Sequence, residues 1–556
     1  MKKLIALLLA VVCILGVFAG CGGKGGSGGS GNSGADAENV TLTIGLPMDA
    51  NVLDLDNNAL TKYLEEKTGY DLKFQVYASG SEIATNITTT TLAGEKLPDI
   101  LFGIELGSAS LRSFGENEYF VDLQDYFADR DGASKIFWDR LEENLTEYEV
   151  DEIVNAMTVV ETGAIYAVPS IETSPIDIMD YQVWINQTWL DKLNLKMPTN
   201  VDELYDVLVA FKNNDCNGNG NKQDEIPLNG AMRGTLGSDV IKWLTNQFLY
   251  FDQRNLWNVD DNGKIYAGFT TDAFREAMKY INKLMKEGLL TDTALTNDNA
   301  STGMVTTPAN GVAKCGVFVG HLTLHTQKNN MLLKEYVPLK PMQGQTSVYK
   351  PNNRDLNCII TSDCANPDAA FNLLMQMRTE ECSTRIRYGE YGVNWCEPDE
   401  GAVSDLGLPA TIKILNDPFG QQNTCMWCSA AGGITINAEG EAAQYAEETT
   451  EWEKLRSKMH AESRRNYDEA AKNNPKNICP SLKFTEDEKE KTEFMRTEVA
   501  DIYTKYTSGF YINRFDPNDD ATWTRYVKEL NDAGLQDYIK LAQTAYDRQM
   551  AKKTAE

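Results

Sequence analysis

From residue 40 onward the chain alternates between two hydrophobic periods. Thr41-Leu42-Thr43-Ile44-Gly45 and Leu72-Lys73-Phe74-Gln75-Val76 set apolar and polar side chains in turn, the two-residue repeat of a strand, and Pro98-Asp99-Ile100-Leu101-Phe102 opens a third. Between them, Leu60 to Lys67 and Ile83 to Ala93 carry apolar residues at helical spacing, the second ending before Gly94. Strand, helix, strand, helix, strand predicts a right-handed parallel sheet of the α/β class. Ligands of such sheets sit beyond the carboxyl ends of the strands, which points to the loops Pro47 to Asn51 and Gly103 to Ser108.

The alternation resumes with a strand over Tyr181 to Ile185 and a helix over Val201 to Lys212, whose Leu204, Leu208 and Phe211 share one face and whose Asn200 and Glu203 form a capping box. After Ile359 the pattern turns helical: Phe371 to Met377, Trp452 to Lys472 and Glu486 to Tyr506, then Trp523, Tyr526, Val527 and Leu530 up to Gly534, and Leu535, Tyr538, Ile539 and Tyr546 beyond it. No heptads and no longer repeat interrupt this order.

The first twenty residues follow neither period. Lys2 and Lys3, an apolar run from Leu4 to Val17, and Phe18-Ala19-Gly20-Cys21 form a signal peptide that ends in a lipidation site at Cys21. The site resembles the bacterial lipobox, with Phe18 where leucine is usual. Gly22 to Gly34, with eight glycines and three serines, then makes a tether spanning roughly 20 Å. The expected location is the outer face of the cytoplasmic membrane. A membrane-spanning helix is disfavoured, because no apolar residues and no basic flank follow position 20.

With 81 acidic against 52 basic residues the net charge is −29, a field that repels nucleic acid and anionic lipid, so the lipid anchor rather than a basic patch is expected to hold the chain to its membrane. Beyond Cys13 and Cys21, the cysteines Cys216, Cys315, Cys358, Cys364, Cys382, Cys396, Cys425, Cys428 and Cys479 are odd in number and irregular in spacing, which reads as small buried apolar residues rather than a disulfide framework. Cys425-Met426-Trp427-Cys428 has redox or zinc spacing but no second pair and no nearby histidine.

Several segments together resemble a family. Leu92-Ala93-Gly94-Glu95-Lys96-Leu97-Pro98-Asp99-Ile100, Gly163-Ala164-Ile165-Tyr166-Ala167-Val168-Pro169, Trp184-Ile185-Asn186-Gln187-Thr188-Trp189-Leu190-Asp191-Lys192-Leu193, Lys314-Cys315-Gly316-Val317-Phe318, Arg387-Tyr388-Gly389-Glu390-Tyr391-Gly392 and Ala545-Tyr546-Asp547-Arg548 resemble, in this order, stretches of the extracellular solute-binding lipoproteins of carbohydrate ABC importers, in particular the large subgroup that includes alginate and oligosaccharide receptors. The resemblance implies a periplasmic-binding-protein-like fold, two α/β lobes with a cleft between them and an extended helical C-terminal part. It implies crossings near Ala167 to Trp184, Val312 to Gly320 and Cys358 to Ser362, so that lobe 1 spans 40–170 with 317–362 returning to it, and lobe 2 spans 175–315 with most of 363–556. It also implies an oligosaccharide ligand, permease partners and a monomeric receptor.

Two kinds of site follow. In Asp215-Cys216-Asn217-Gly218-Asn219-Gly220-Asn221-Lys222-Gln223-Asp224-Glu225, oxygen side chains stand at positions one, three and five, a turn glycine at six and carboxylates at ten and eleven, an arrangement suited to a structural Ca²⁺. Asp215, Asn217, Asn219, Asp224 and Glu225 are the ligand candidates, with the carbonyl of Asn221; a metal-free Asn-Gly turn is the alternative. The alginate-binding relatives carry a calcium loop here. For the sugar, flat apolar faces and fixed polar groups are required. Asp49, Asn51, Glu105 and Glu172 lie where the strand-end rule puts ligand contacts, His321 follows an expected crossing, and Trp184, Trp395 and Trp427 are the aromatic candidates, each with a packing role as its alternative.

Catalysis has few carriers. Outside the glycine-serine tether there is no GxSxG, and there is no P-loop or HExxH; Leu322 follows His321 where zinc peptidases use glutamate, and His321, His325 and His460 are the only histidines. A binding protein without turnover is expected, with a peptide receptor of the same fold, a carbohydrate-active enzyme and an adhesion lipoprotein as alternatives.

Overall fold

In a computed structural model the chain is described over residues 40–553, except 105, 146, 173–180, 233–237, 252–255, 297–298, 344–352, 405–407, 419, 429–433, 436–442, 447–449 and 472–477. The signal segment, Cys21, the tether and Glu105 lie outside the described residues.

The first sheet has six strands in the order Ile434–Thr435, Val168–Glu172, Asn353–Ile360, Ile100–Phe102, Thr41–Pro47 and Asp71–Tyr77. Thr41–Pro47 runs parallel to both Asp71–Tyr77 and Ile100–Phe102, with Ile44 opposite Phe74 and Ile100, as the alternating pattern predicts. Asn353–Ile360 is antiparallel to both its neighbours, so the sheet is mixed rather than all parallel. That strand arrives from far along the chain and enters from the opposite end, which local periodicity does not reveal. Leu42, Ile44 and Leu46 alternate into a core shared with Leu60 and Leu64 of the helix Ala59–Thr68, and with Phe371 and Leu374 of Pro367–Gln376.

The second sheet orders Tyr336–Pro338, Val183–Asn186, Cys315–Val319 and Ile226–Asn229. Against it lies Val201–Asn213, with Leu204, Val207, Leu208 and Phe211 buried. Asn200 caps this helix by accepting from the N–H groups of Asp202 and Glu203, but the Glu203 carboxylate takes the N–H and hydroxyl of Thr199 instead of closing the expected box on Asn200. The C-terminal helices Glu486–Tyr511, Asp520–Asp532 and Leu535–Lys553 complete the same core with Tyr506, Phe510, Tyr526, Leu530 and Tyr538. A third, small sheet of Trp395–Cys396, Ile412–Ile414 and Ala443–Tyr445 packs on Tyr388, at the end of a helix whose Cys382 and Ile386 sit in the first core.

The chain thus passes between the main sheets between Glu172 and Val183, between Pro338 and Asn353, and between Tyr445 and Glu451. Cys315–Val319, expected as a crossing, is buried throughout and paired on both sides within the second sheet; Cys358 to Ile360 lies within the first. Residues 317–338, expected with the first sheet, therefore run with the second, and 367–388, expected with the second, pack into the first core.

Gly316 shows how tightly the second sheet meets its helix: a Cβ there would overlap the Phe211 ring and stand 3.0 Å from the Pro227 carbonyl oxygen. Gly316→Ala is expected to lower stability by about 2–3 kcal/mol in urea unfolding. Gly94→Ala, at a helix end with nothing within 4 Å but φ of +70°, loses only the smaller backbone strain. Among the described residues no helix is long and apolar enough to cross a membrane.

Candidate functional site

The carboxyl ends of Thr41–Pro47 and Cys315–Val319 are each closed by a later segment of the chain. On the first sheet, Met48 N–H bonds to the Tyr77 carbonyl at 2.7 Å, and the Asp49 carboxylate accepts from Asn51 N–H at 2.9 Å. The segment from Gln421 to Cys428 lies along this edge: Asn423 N–H donates to the Asn51 carbonyl at 2.8 Å, Leu53 N–H returns a bond to Asn423 at 3.0 Å, and Ala59 N–H bonds to Thr424 at 2.8 Å. On the second sheet, Cys315–Val319 ends at Gly320 and His321. The helix Glu451–Ala471 covers that end, with Trp452 and Met459 packed on Trp184 and Phe318 and with His460 4.8 Å from His321, ring to ring.

At the crossing from Tyr445 to Glu451 lies a recess of about 220 Å³. Ile414, Leu415, Asn416, Asp417, Gln421 and Tyr445 line it from the first-sheet side, and Thr450, Glu453 and Arg456 from the second. Its polar groups are held in place. Asp417 faces Arg387 at 3.6 Å, Tyr445 shares a hydrogen bond of 2.9 Å with Ser457, and Glu453 accepts from Thr450 N–H and hydroxyl at 3.0 and 2.8 Å. Fixed donors and acceptors drawn from both sides of a crossing suit a ligand rich in hydroxyls, whose lost hydration must be replaced group by group. A second cavity of about 290 Å³, between residues 155–161 and 481–489, has mostly apolar walls, among them Leu111, Met157, Val159, Leu482 and Phe484. Its edge is braced by Arg112 on Glu161 and Glu486, both at 2.8 Å, and by Lys483 on the carbonyls of Ala156 and Thr158. It offers a hydroxylated ligand far less.

The histidines of the chain stand together behind the recess. Burial, then Arg456, hold His321 down to about 3, and burial holds His325 at about 4, with its Nδ1 3.0 Å from the His321 carbonyl. His460 is likewise held well below the ordinary range by burial, His321 and Arg456. The unfolded chain binds protons on these rings below about pH 6.5 and the folded chain does not, so stability is full above that pH and falls as pH drops toward 4. Unfolding measured at about pH 7 and about pH 5 should differ by about 2 kcal/mol for each such histidine, and His325→Gln should flatten the dependence.

The sequence candidates are dispersed over the structure. Asp49 and Asn51 sit on the first-sheet edge beside Asn423, and Glu172 ends its strand opposite Asn353. His321 is 9% exposed and lies on the second-sheet end, one ring behind the recess. Trp184 is 0% exposed, its Nε1 bonded to the Gly320 carbonyl at 2.7 Å, so it packs the second sheet. Trp427 is 2% exposed, wedged between Phe74 and Phe102 with Nε1 on the Thr61 hydroxyl, so it packs the first. Trp395 is half-buried against Tyr391, its Nε1 on the Gly389 carbonyl. Cys425 and Cys428 are buried and joined in no disulfide, and burial raises the Cys425 pKa. The recess residues Asp417, Tyr445, Glu453 and Arg456 were not among the candidates. Tyr445 ends a three-residue strand and Asp417 follows another, too short for a period to show, while Glu453 and Arg456 stand in the first turns of the helix that the pattern predicts, with nothing to set them apart from its other charged residues.

The loop from Asp215 to Glu225 lies at the opposite end of the second sheet, before the strand Ile226–Asn229. Asp215 accepts from the N–H groups of Gly218, Asn219 and Gly220, Asn217 from Asn219, and Asn219 from Asn221, so the oxygen side chains turn inward on the loop. Among the described residues no cluster of three or more His, Cys, Asp or Glu is poised as a metal site. Amide and carbonyl oxygens count equally for a hard cation, however, and here Asp224 Oδ1 and Glu225 Oε2 are buried without hydrogen-bond partners. Burial raises the Glu225 pKa, against the pull of the Asn217 and Cys216 N–H groups and aided by Asp224. Lys314, 3.1 Å from Asp224, already brings one cation to the pair. The donor set fits a calcium ion.

Residues 50–318 match the family described as bacterial extracellular solute-binding protein. The chain is 26% identical over 516 residues, 90% of this chain and 88% of the relative, to the fructooligosaccharide ABC transporter substrate-binding protein FusA of Streptococcus pneumoniae serotype 4. Its fold matches the HMO binding ABC-transporter associated solute binding protein of Bifidobacterium longum infantis with a TM-score of 0.71 at 20% identity, over 92% of this chain and 99% of that one. It also matches the S. pneumoniae FusA EF-hand mutant in complex with fructo-nystose, with a TM-score of 0.66 at 21% identity, over 92% and 100%. The fold is periplasmic-binding-protein-like, with two α/β lobes and an extended helical C-terminal part. By the family match over residues 50–318 and the likeness that extends over nine-tenths of its length, this chain resembles the bacterial extracellular solute-binding proteins of carbohydrate ABC importers.

Proposed function

We propose that this chain is a membrane-anchored extracellular receptor that captures an oligosaccharide by lobe closure and delivers it, chemically unaltered, to the permease of an ABC importer. The observation that carries this reading is the polar recess at the crossing, lined from both sides. A ligand bridging Asp417 and Gln421 on one side and Glu453 and Arg456 on the other makes its full set of contacts only when the sides approach. It thereby favours closure by its differential affinity for the closed form. Asp49 and Asn51 extend the contact surface along the first sheet, with Trp395 as an outer aromatic face; Glu105 and Glu172 are proposed as further ligand contacts, and His321 acts from behind Arg456.

In this reading one lobe comprises 40–172 and 353–446 and the other 181–342 and 450–553, the second carrying the C-terminal helices. Lipid on Cys21 and the glycine-serine tether hold a monomeric receptor to the outer face of the membrane. Asp215, Asn217, Asn219, Asp224 and Glu225, with the Asn221 carbonyl, hold Ca²⁺ and brace the end of the second sheet away from the ligand. The relatives are binding proteins, and the recess contains no histidine, so no turnover is assigned. Calorimetric titration of the mature chain with oligosaccharides and peptides tests the reading. Saturable saccharide binding, with the sugar recovered intact, is expected; binding of peptides alone, or cleavage of the sugar, overturns it.

A further inference from the structure

We infer that the recess selects neutral glycans and rejects uronic-acid chains; the inference deepens the receptor reading and rests on it. The charged groups of the recess already have partners within the protein. Asp417 is matched by Arg387 at 3.6 Å. Glu453 takes two hydrogen bonds from Thr450 and sits in the first turn of its helix, where the peptide dipoles favour a negative charge. Arg456, the one cation among the described lining residues, stands three positions after Glu453 with its guanidinium 5.6 Å from the Trp452 ring.

A ligand carboxylate entering this space meets two carboxylates against the single lining cation Arg456. It gives up hydration for at most one ion pair set against two repulsions, and a charge brought within ~5 Å of a like charge at intermediate dielectric is worth about 100-fold in affinity. A sugar hydroxyl both donates and accepts. It can donate to Asp417 or Glu453 and bond the amides of Asn416 and Gln421, all without a change of charge. The excess of 81 acidic over 52 basic residues repels a polyanionic glycan before it arrives.

The test is calorimetric titration of the mature chain with two panels: trisaccharides of fructan, galactan, mannan and xylan, and trimers of galacturonate and mannuronate. The tightest neutral sugar should bind at least about 100-fold more tightly than any uronate. The double variant Asp417→Asn, Glu453→Gln should narrow that gap, and added salt should narrow it in the unmodified chain. A uronate that binds within about tenfold of the best neutral sugar, or a gap indifferent to both salt and the double variant, overturns the inference and leaves the receptor reading intact. Failure of every sugar in both panels to bind overturns both.

Discussion

Arg456→Gln weakens binding of the captured saccharide by about 100-fold, the value of two hydrogen bonds from a charged donor in a desolvated site. The expectation follows from position: Arg456 is the cation that lines the recess from the second-sheet side, on the helix that also buries Trp452 and His460. A second readout separates this role from a merely structural one. Burial first and Arg456 second hold His321 neutral, so removing the guanidinium leaves burial and the smaller effect of His325 and lets the His321 pKa rise part of the way back. Calorimetry should therefore show the affinity loss, while unfolding at mildly acid pH becomes less steep. Unchanged affinity would remove Arg456 from the ligand site.

Calcium provides the second large effect. Saturating Ca²⁺ at about a thousandfold excess over its dissociation constant should stabilise the protein by about 4 kcal/mol, lost on chelation and absent in the double variant Asp224→Asn, Glu225→Gln. The pH dependence has a definite sign. Burial, with Asp224 close by, raises the Glu225 pKa, so in the metal-free chain ionising Glu225 costs folding stability as pH climbs through that raised value. Bound calcium offsets that cost, and calcium affinity should fall on acidification as Glu225 takes up its proton. Saccharide affinity should change little, because no residue of the loop lines the recess. A thermal midpoint indifferent to calcium and chelator alike would exclude the metal and leave an Asn-Gly turn closed by Lys314.

The parts of the fold that local periodicity encodes were legible in advance. Leu42, Ile44 and Leu46, or Leu204, Leu208 and Phe211, must share a face whatever else the chain does, and they are buried as their spacing requires. Relations between distant segments were not legible. Asn353–Ile360 enters the first sheet antiparallel, and Cys315–Val319 is an inner strand of the second, because hydrophobic runs of this kind look the same in a crossing and in a buried strand. The site suffered most. Tryptophans attract notice as sugar platforms, yet Trp184 and Trp427 are worth more in the core, each with its indole N–H satisfied. The recess is assembled from Asp417, Tyr445, Glu453 and Arg456, common residue types at no special spacing, brought together by a third crossing that no motif announces. The Asp215 to Glu225 loop was visible because its oxygen side chains are close together in the chain; the recess was not because its lining residues come from segments far apart in sequence.

Solution X-ray scattering from the mature chain, with and without its tightest-binding oligosaccharide, tests lobe closure most directly. A smaller radius of gyration in the saturated sample, absent from an Arg456→Gln sample that the sugar does not saturate, is the predicted result. Superimposable curves from the free and the fully saturated protein would contradict it.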